Sequence, residues 1–493
     1  MSQKPRNKLS MRVPRDTLVD DGEDGPLILG ILDLSLPCRR FVVEHKVAEV
    51  GKISVTAEFL LRFVKALGSC SEEDAQTFFG YSRREMAYVL AEVEEADYVD
   101  RAEGRLSLTA NGLGLFQPGS EDPLIFEVER KTARIGLDLL SLAPADSRSP
   151  SVFELNLPEL PLVDPAQISS ATDRVPVQFR RHFRELAPRM DSVAAARRSL
   201  YSIDGVSAEE RFTNVVRVKL VSTGMKPMQV EVDLSDWRSD HELADREAVS
   251  RSVVQITERL GCSRREDDVD AYRLLIELAP EYFQEWTRRD GLSVQRFYRH
   301  AFTARGDVRA DRQTTPIVGS LFTADNARRL LEVANYGLRR TKHPSPVLFW
   351  TVPQAPMWGS TSIMSEAVDQ LRDLVMRAGD FREVEAIALT AGKPERWIKR
   401  GFTGWKESQS LVFPGGFEML LAPCGFVAAI VHAPIGAPSG VPVPLGFASF
   451  NPRIVDRAMA MLASQAHRFG LDEALSQELV SPAAEPLSPD LGT

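Results

Sequence analysis

Between Pro423 and Pro452 the chain carries no Asp, Glu, Lys or Arg. A segment this long without a charge is stable only when it is removed from water. The most apolar stretch of the chain, Met419 to Ile435, overlaps it and is interrupted by Pro423, Gly425, His432 and Pro434. Those breaks and its length exclude a membrane-spanning helix and predict buried strands. PIVGSLF, PVLFWTVP, VEAIALT, FEMLLAP, GFVAAIVHAPI and PLGFASFN all read as strands. Helical stripes lie among them at Leu330, Leu331, Ala334 and Leu338, and at Ala367, Val368, Leu371, Leu374 and Val375. A last stripe, Val455, Ala458, Met459 and Leu462, follows them. Apolar strands separated by amphipathic helices predict an α/β sandwich over residues 311–470.

The rest of the chain divides by composition. Residues 1–45 read as a flexible lead segment, 46–118 as a compact helical unit, 119–310 as an α+β middle region and 471–493 as a disordered tail rich in Pro, Ser, Ala and Glu. Prolines crowd between Leu142 and Ser170 and mark a linker or an extended strap. In the middle region, residues 215–234 alternate and predict a hairpin turning at Ser222–Gly224, with helical patterns at 240–260 and 268–303.

Within the helical unit, Leu60, Phe63, Val64 and Leu67 form one apolar face. Ser71 and Ser82 are natural N-caps, and Met86, Val89, Leu90 and Val93 form a second stripe. YVDRAEGRLSLT follows as two short strands around a Gly-containing turn. Three helices followed by a ribbon resemble the winged helix-turn-helix family over residues 50–117. That resemblance implies a third helix in the major groove and a wing on phosphates, giving Arg83, Arg84 and Tyr88 to the groove and Arg101 and Arg105 to the wing. Residues 50–117 nevertheless hold seven Lys or Arg against eleven Asp or Glu, a net of −4. Affinity for DNA comes largely from neutralising phosphates, so protein docking or dimerisation stands beside DNA contact as an expectation.

Composition narrows the classes further. The chain of 493 residues is 43% hydrophobic and 26% charged, values of a globular protein. Its net charge of −9 opposes coating nucleic acid by bulk charge. Arginine outnumbers lysine 48 to 12, which reads as the signature of a GC-rich prokaryotic genome. Cys38, Cys70, Cys262 and Cys424 have neither disulfide nor zinc spacing. No apolar run follows the basic N-terminus, so a cytoplasmic protein is expected. No phosphate-binding glycine loop, dinucleotide fingerprint or metal motif is present, and no cofactor or metal is expected.

The order of elements in 315–465, with a central His432 and the turn Ala448–Ser449–Phe450–Asn451, resembles one half of a phospholipase D superfamily fold. The resemblance implies His432 as a nucleophile on a phosphodiester, with Ser449 and Asn451 holding phosphoryl oxygens. The family's lysine two residues on is here Pro434, and its following acid is Ser439. Without that ammonium and that acid the half is expected to be inert, since one lost donor costs about 100- to 1000-fold. A second histidine is normally needed, and His182, His300 and His343 are the candidates.

Two basic stretches offer cations. Arg288 to Arg312 interleaves Arg296 and Arg299 with Phe297, Tyr298 and Phe302. Lys393 to Lys406 carries Arg396, Trp397, Lys399, Arg400, Trp405 and Lys406, and its two glycines suggest an exposed turn. Either suits a phosphate backbone and stacked bases, or is a solvated face over buried aromatics. The expected function is a non-catalytic subunit that associates with DNA or with protein subunits, a homodimer being one possible assembly. By analogy of domain combination, the setting is a nucleic-acid-processing or phage-defence system. An active phosphodiesterase or nuclease and a ligand-sensing transcription regulator remain the alternatives.

Overall fold

The computed structural model describes residues 26–50, 54–116, 123, 126–145, 156–162, 170–190, 198–224, 226–237 and 247–480, a mixed α/β chain with several sheets. It divides into two units, a smaller one of residues 38–147 and 165–211 and a larger one of 1–37, 148–164 and 212–493. The stretch read as a middle region, 119–310, is thus shared between them.

In the smaller unit, the second half of β1 (Pro26–Val50) is followed by α1 (Val55–Leu67), β2 (Ser69–Ser71), α2 (Glu72–Phe79) and α3 (Arg83–Glu95). Then come β3 (Val99–Ala102), β4 (Arg105–Leu108) and α4 (Ala110–Gly114). Ser54, Ser71 and Ser82 accept backbone N–H groups at the starts of the three helices, and Ser82 with Glu85 closes a capping box. Glu103 and Gly104, both at positive φ, turn the β3–β4 ribbon, which β2 extends to three strands. Leu60, Leu61, Val64, Met86, Val89, Leu90, Val93 and Leu106 share one core. Leu67 does not join it. It is 55% exposed and continues a second apolar face of α1 through Phe59, 51% exposed, and Phe63.

The same unit pairs β1 with β5 (Phe126–Asp138), from Cys38 opposite Asp138 onward. Phe41, Val43, Ile135 and Leu137 form the face on which α5 (Ala171–Met190) packs Phe179 and Phe183.

In the larger unit, β6 (Arg198–Thr223), whose later part belongs here, and β7 (Lys226–Asp233) form the expected hairpin, with the register shifting at Ser222/Thr223. Helix α6 (Glu247–Glu258) precedes β8 (Cys262–Ser263). The single helical pattern expected over 268–303 is broken. Pro280, which lacks an N–H, starts a new helix after α7 (Asp268–Leu278), namely α8 (Pro280–Phe283). A small hairpin, β9 (Thr287–Arg288) and β10 (Gly291–Leu292), then separates it from α9 (Val294–Thr303).

Alternation follows through β11 (Thr314–Val318), α10 (Ala324–Leu338), β12 (Val347–Thr351), α11 (Ser362–Gly379) and β13 (Glu385–Ala391). The run ends with α12 (Arg396–Gly401), β14 (Gly404–Ser408), β15 (Phe417–Ala422), β16 (Phe426–Ala433), β17 (Ser439–Gly440), β18 (Val443–Ser449) and α13 (Pro452–Gln465). Seven strands make one sheet in the order β11-β18-β16-β15-β12-β13-β14. Only β12, β13 and β14 run parallel. Leu330, Val333, Val368 and Leu371 cover one face, on Leu348, Ala388, Leu420 and Ala428. Tyr282 and Phe283 cover the other, against Phe447. Burial on both faces explains why these strands read as unbroken apolar runs.

Two expectations change and a third narrows. The lead segment is not loose throughout: Pro26–Val50 is strand, with Leu32, Leu34, Leu36 and Cys38 buried at alternate positions. The tail begins later than Leu471, because Glu473–Gln477 is a helix (α14) and Leu475 and Leu479 are buried. The proline-rich stretch is a strap where it is described: Ser35 N–H donates to Pro158 and Leu160 N–H to Ser35. Residues 1–25 and 481–493 lie outside the described residues.

Candidate functional site

Antiparallel pairing sets Glu418 of β15 opposite Ile430 of β16. His432, two residues further on, therefore lies diagonally across on the same face. Its Nε2 is 2.5 Å from Glu418 Oε2, and Trp350 Nε1 donates to Glu418 Oε1 at 2.9 Å. The three residues are 7%, 1% and 2% exposed. Phe322, Trp358 and Phe402 pack their rings around that of Trp350. The acid beside the imidazole is thus Glu418, while Ser439, the position expected to hold it, pairs with Ser263 in a two-residue strand. A carboxylate that accepts from both an indole and an imidazole is satisfied within the fold. Among the described residues, no Lys or Arg hydrogen-bonds to either His432 or Glu418.

The other expected groups do not converge on this imidazole. His432 is opposite Pro444 on β18, whereas Ser449 is five residues further along that strand. At 3.4 Å per residue the separation is about 17 Å. Ser449 Oγ donates to Gln313 O at 3.1 Å and lies 2.9 Å from Thr314 Oγ1. Asn451 is the N-cap of α13, its side chain accepting the Arg453 N–H. The closing turn is thus a helix start at the opposite end of the strand. His300 packs on Trp286 with the rings tilted and their centroids 4.4 Å apart, and His343 is exposed in the loop before β12, at the far end of that strand from Thr351. His182 is buried on α5 in the smaller unit.

The cationic candidates divide by surroundings. Arg83, Arg84 and Tyr88 are exposed on the first turns of α3. Arg101 pairs with Glu72 at 2.5 Å, and Arg105 donates to Ser69 Oγ at 3.0 Å. Arg296 and Arg299 are exposed on α9, but Phe297, Tyr298 and Phe302 are buried, so the aromatics there are core and stack no base. The segment 393–406 is a helix and an edge strand, not a free turn. Trp397 donates to Trp358 O at 2.9 Å and Phe402 is buried, while Lys399 sits over Trp405, 4.7 Å from the ring centre. Lys406 pairs with Asp472 at 3.8 Å, and Arg396 and Arg400 are exposed.

Two features escaped the sequence reading. Asp33 of β1, fully buried, accepts Arg217 Nε and Nη2 at 2.8 and 2.9 Å, and also the Ser362 N–H at the start of α11. A small, shallow cleft opens beyond the carboxyl ends of β12 and β13, lined mainly by Leu389, Leu411, Phe413, Pro414, Phe417 and Phe469. That is the usual ligand position in an open α/β sheet, yet its lining carries no charged side chain. Among the described residues no three His, Cys, Asp or Glu are grouped to hold a metal ion, and no helix is long and apolar enough to cross a membrane. No family model, curated protein or solved structure matches the chain.

Proposed function

We propose that this protein is a non-catalytic subunit that works by binding, its larger unit a degenerate relative of the phospholipase D fold and its three-helix module a winged helix used for docking. The observation that carries the reading is the closed Glu418–His432 pair. Its imidazole is held by an acid, makes no hydrogen bond with a Lys or Arg among the described residues, and lies about 17 Å along the sheet from the groups that would share a phosphate. A phosphoryl-transfer site needs those groups within hydrogen-bond reach of one reacting atom.

Protein contact suits the module better than DNA contact. Phe59, Phe63 and Leu67 repeat every four residues along α1, and Phe78 of α2 stacks on Phe63 with centroids 4.4 Å apart. Exposed apolar ridges of this kind are more often protein interfaces than nucleic-acid ones, and the module's charge of −4 repels phosphates. The test compares wild type with His432→Ala on single- and double-stranded DNA, following cleavage and salt-dependent binding. No cleavage by either protein is expected. Cleavage by wild type that the substitution abolishes would establish the phosphodiesterase reading instead.

A further inference from the structure

Six apolar side chains of the smaller unit join in one surface patch. Phe63 of α1 stacks on Phe78 of α2 with ring centroids 4.4 Å apart, and Phe79 lies 5.4 Å from Phe63 and 5.0 Å from Phe78. Tyr81 stacks in turn on Phe79 at 5.4 Å. Phe59 and Leu67, one turn before and one turn after Phe63 on α1, extend the row to either side. Phe59, Leu67 and Phe78 are 51%, 55% and 68% exposed, while the other three are partly buried against the module's core. At about 200 Å² per aromatic side chain, the patch leaves roughly 400–450 Å² of apolar surface in water. A stable dimer removes about 800 Å² per copy, of which about 56–65% is apolar. The patch therefore supplies most of the apolar area that one copy must contribute.

The row on α1 is also self-complementary. Phe59, Phe63 and Leu67 have the four-residue spacing of a ridge that packs beside a like ridge of another helix. A two-fold axis at Phe63 sets Phe59 of one copy against Leu67 of the other, and the reverse. Ala66, exposed beside Leu67, is small enough to leave room there for the incoming ring. The rings stand out as a ridge and line no groove, so their shape suits a matching helix and not an extended peptide.

We infer that this face joins two copies of the chain in an isologous dimer, α1 packing on α1 with Phe78 beside it. The inference rests on the reading of the module as a docking unit and names a second copy as its partner. It is independent of how the Glu418–His432 pair is read. Two modules of net charge −4 repel at long range. A dimer held by the apolar row is therefore expected to tighten as salt rises, whereas contact with phosphates would weaken.

Sedimentation velocity of the full chain, from about 1 to about 100 µM, covers the weak end of the range that interfaces of this size span. Wild type is expected to dimerise within it. Phe59→Asp, Phe78→Asp and Leu67→Lys, all at positions more than half exposed, should each raise the dissociation constant at least about 30-fold, the scale of one central contact. Three positions keep the test valid if one variant misfolds. A monomer throughout, a dimer that all three substitutions leave intact, or a dimer that dissociates as salt rises would overturn the inference. Duplex DNA added to the same samples separates that failure from failure of the docking reading. A monomer that ignores the duplex leaves the module to dock on a different protein. A monomer whose duplex binding is lost with Arg83→Ala and Arg84→Ala would overturn docking itself.

Discussion

Asp33 and Arg217, 184 residues apart in sequence, meet through two parallel hydrogen bonds of 2.8 and 2.9 Å. The same carboxylate accepts the Thr361 hydroxyl at 3.1 Å and the Ser362 N–H at 2.8 Å, so it closes the N-terminus of α11 as well. An anion there is favoured by the helix dipole. One side chain thereby ties β1, β6 and a core helix together.

Removing that acid should leave a half-buried guanidinium with Ser362 Oγ as its remaining acceptor, and two helix-start donors without one. Asp33→Ala is expected to lose about 3–5 kcal/mol, read from denaturant unfolding of the full chain. Asp33→Ala with Arg217→Met should lose less than Asp33→Ala alone, because no charge is then stranded. A loss below about 1 kcal/mol for Asp33→Ala would show the pair to be dispensable.

A pH effect follows from Glu281. Arg457 donates to both its oxygens, at 2.8 and 2.5 Å, which holds the carboxyl down to about 2. A depressed carboxylate stabilises the fold above its unfolded value of about 4.5, and that contribution fades as pH falls from there towards 2. Glu281 is 60% exposed, so screening limits the contribution to less than about 1 kcal/mol. Glu281→Gln should therefore be slightly less stable than wild type at pH 7 in low salt. The difference should vanish near pH 2 and in 1 M salt, with ~3 Å screening. A difference that persisted at pH 2 would point to packing instead.

Backbone approach between β16 and β18 makes Gly446 sensitive. A Cβ added there would fall 2.0 Å from Ala429 O. Neither strand can shift without disturbing its ladder, so Gly446→Ala is expected to cost about 3 kcal/mol or to abolish soluble expression. Near-wild-type unfolding of that variant would mean the strands are further apart than described.

What could be read from the sequence was local. Ser71 and Ser82 were legible as caps because capping depends on residues three apart. The core strands were legible because the sheet buries both faces. Glu418 was not identified as the partner of His432, since their meeting depends on the β15–β16 register and not on spacing along the chain. A lone acid inside FEMLLAP was the available signal. The strand at Pro26–Val50 could have been found from the alternation of Leu32, Leu34, Leu36 and Cys38. Leu67 shares the apolar stripe of Leu60 and Val64 yet is exposed, because such a stripe on a helix does not say how much of its width is covered. Trp397 and Trp405 lie in the same short segment, yet one anchors to the core and the other is 39% exposed. Composition alone does not separate those fates.

The account rests on the imidazole of His432 being a locked part of the core. Diethyl pyrocarbonate modification of the native protein, mapped by mass spectrometry at each histidine, measures this directly. The exposed His343 and His467 should be modified readily and His432 should stay unmodified until the protein unfolds. Modification of His432 at a rate comparable to His343 would mean the ring is open to reagents, and the non-catalytic reading would fail with it.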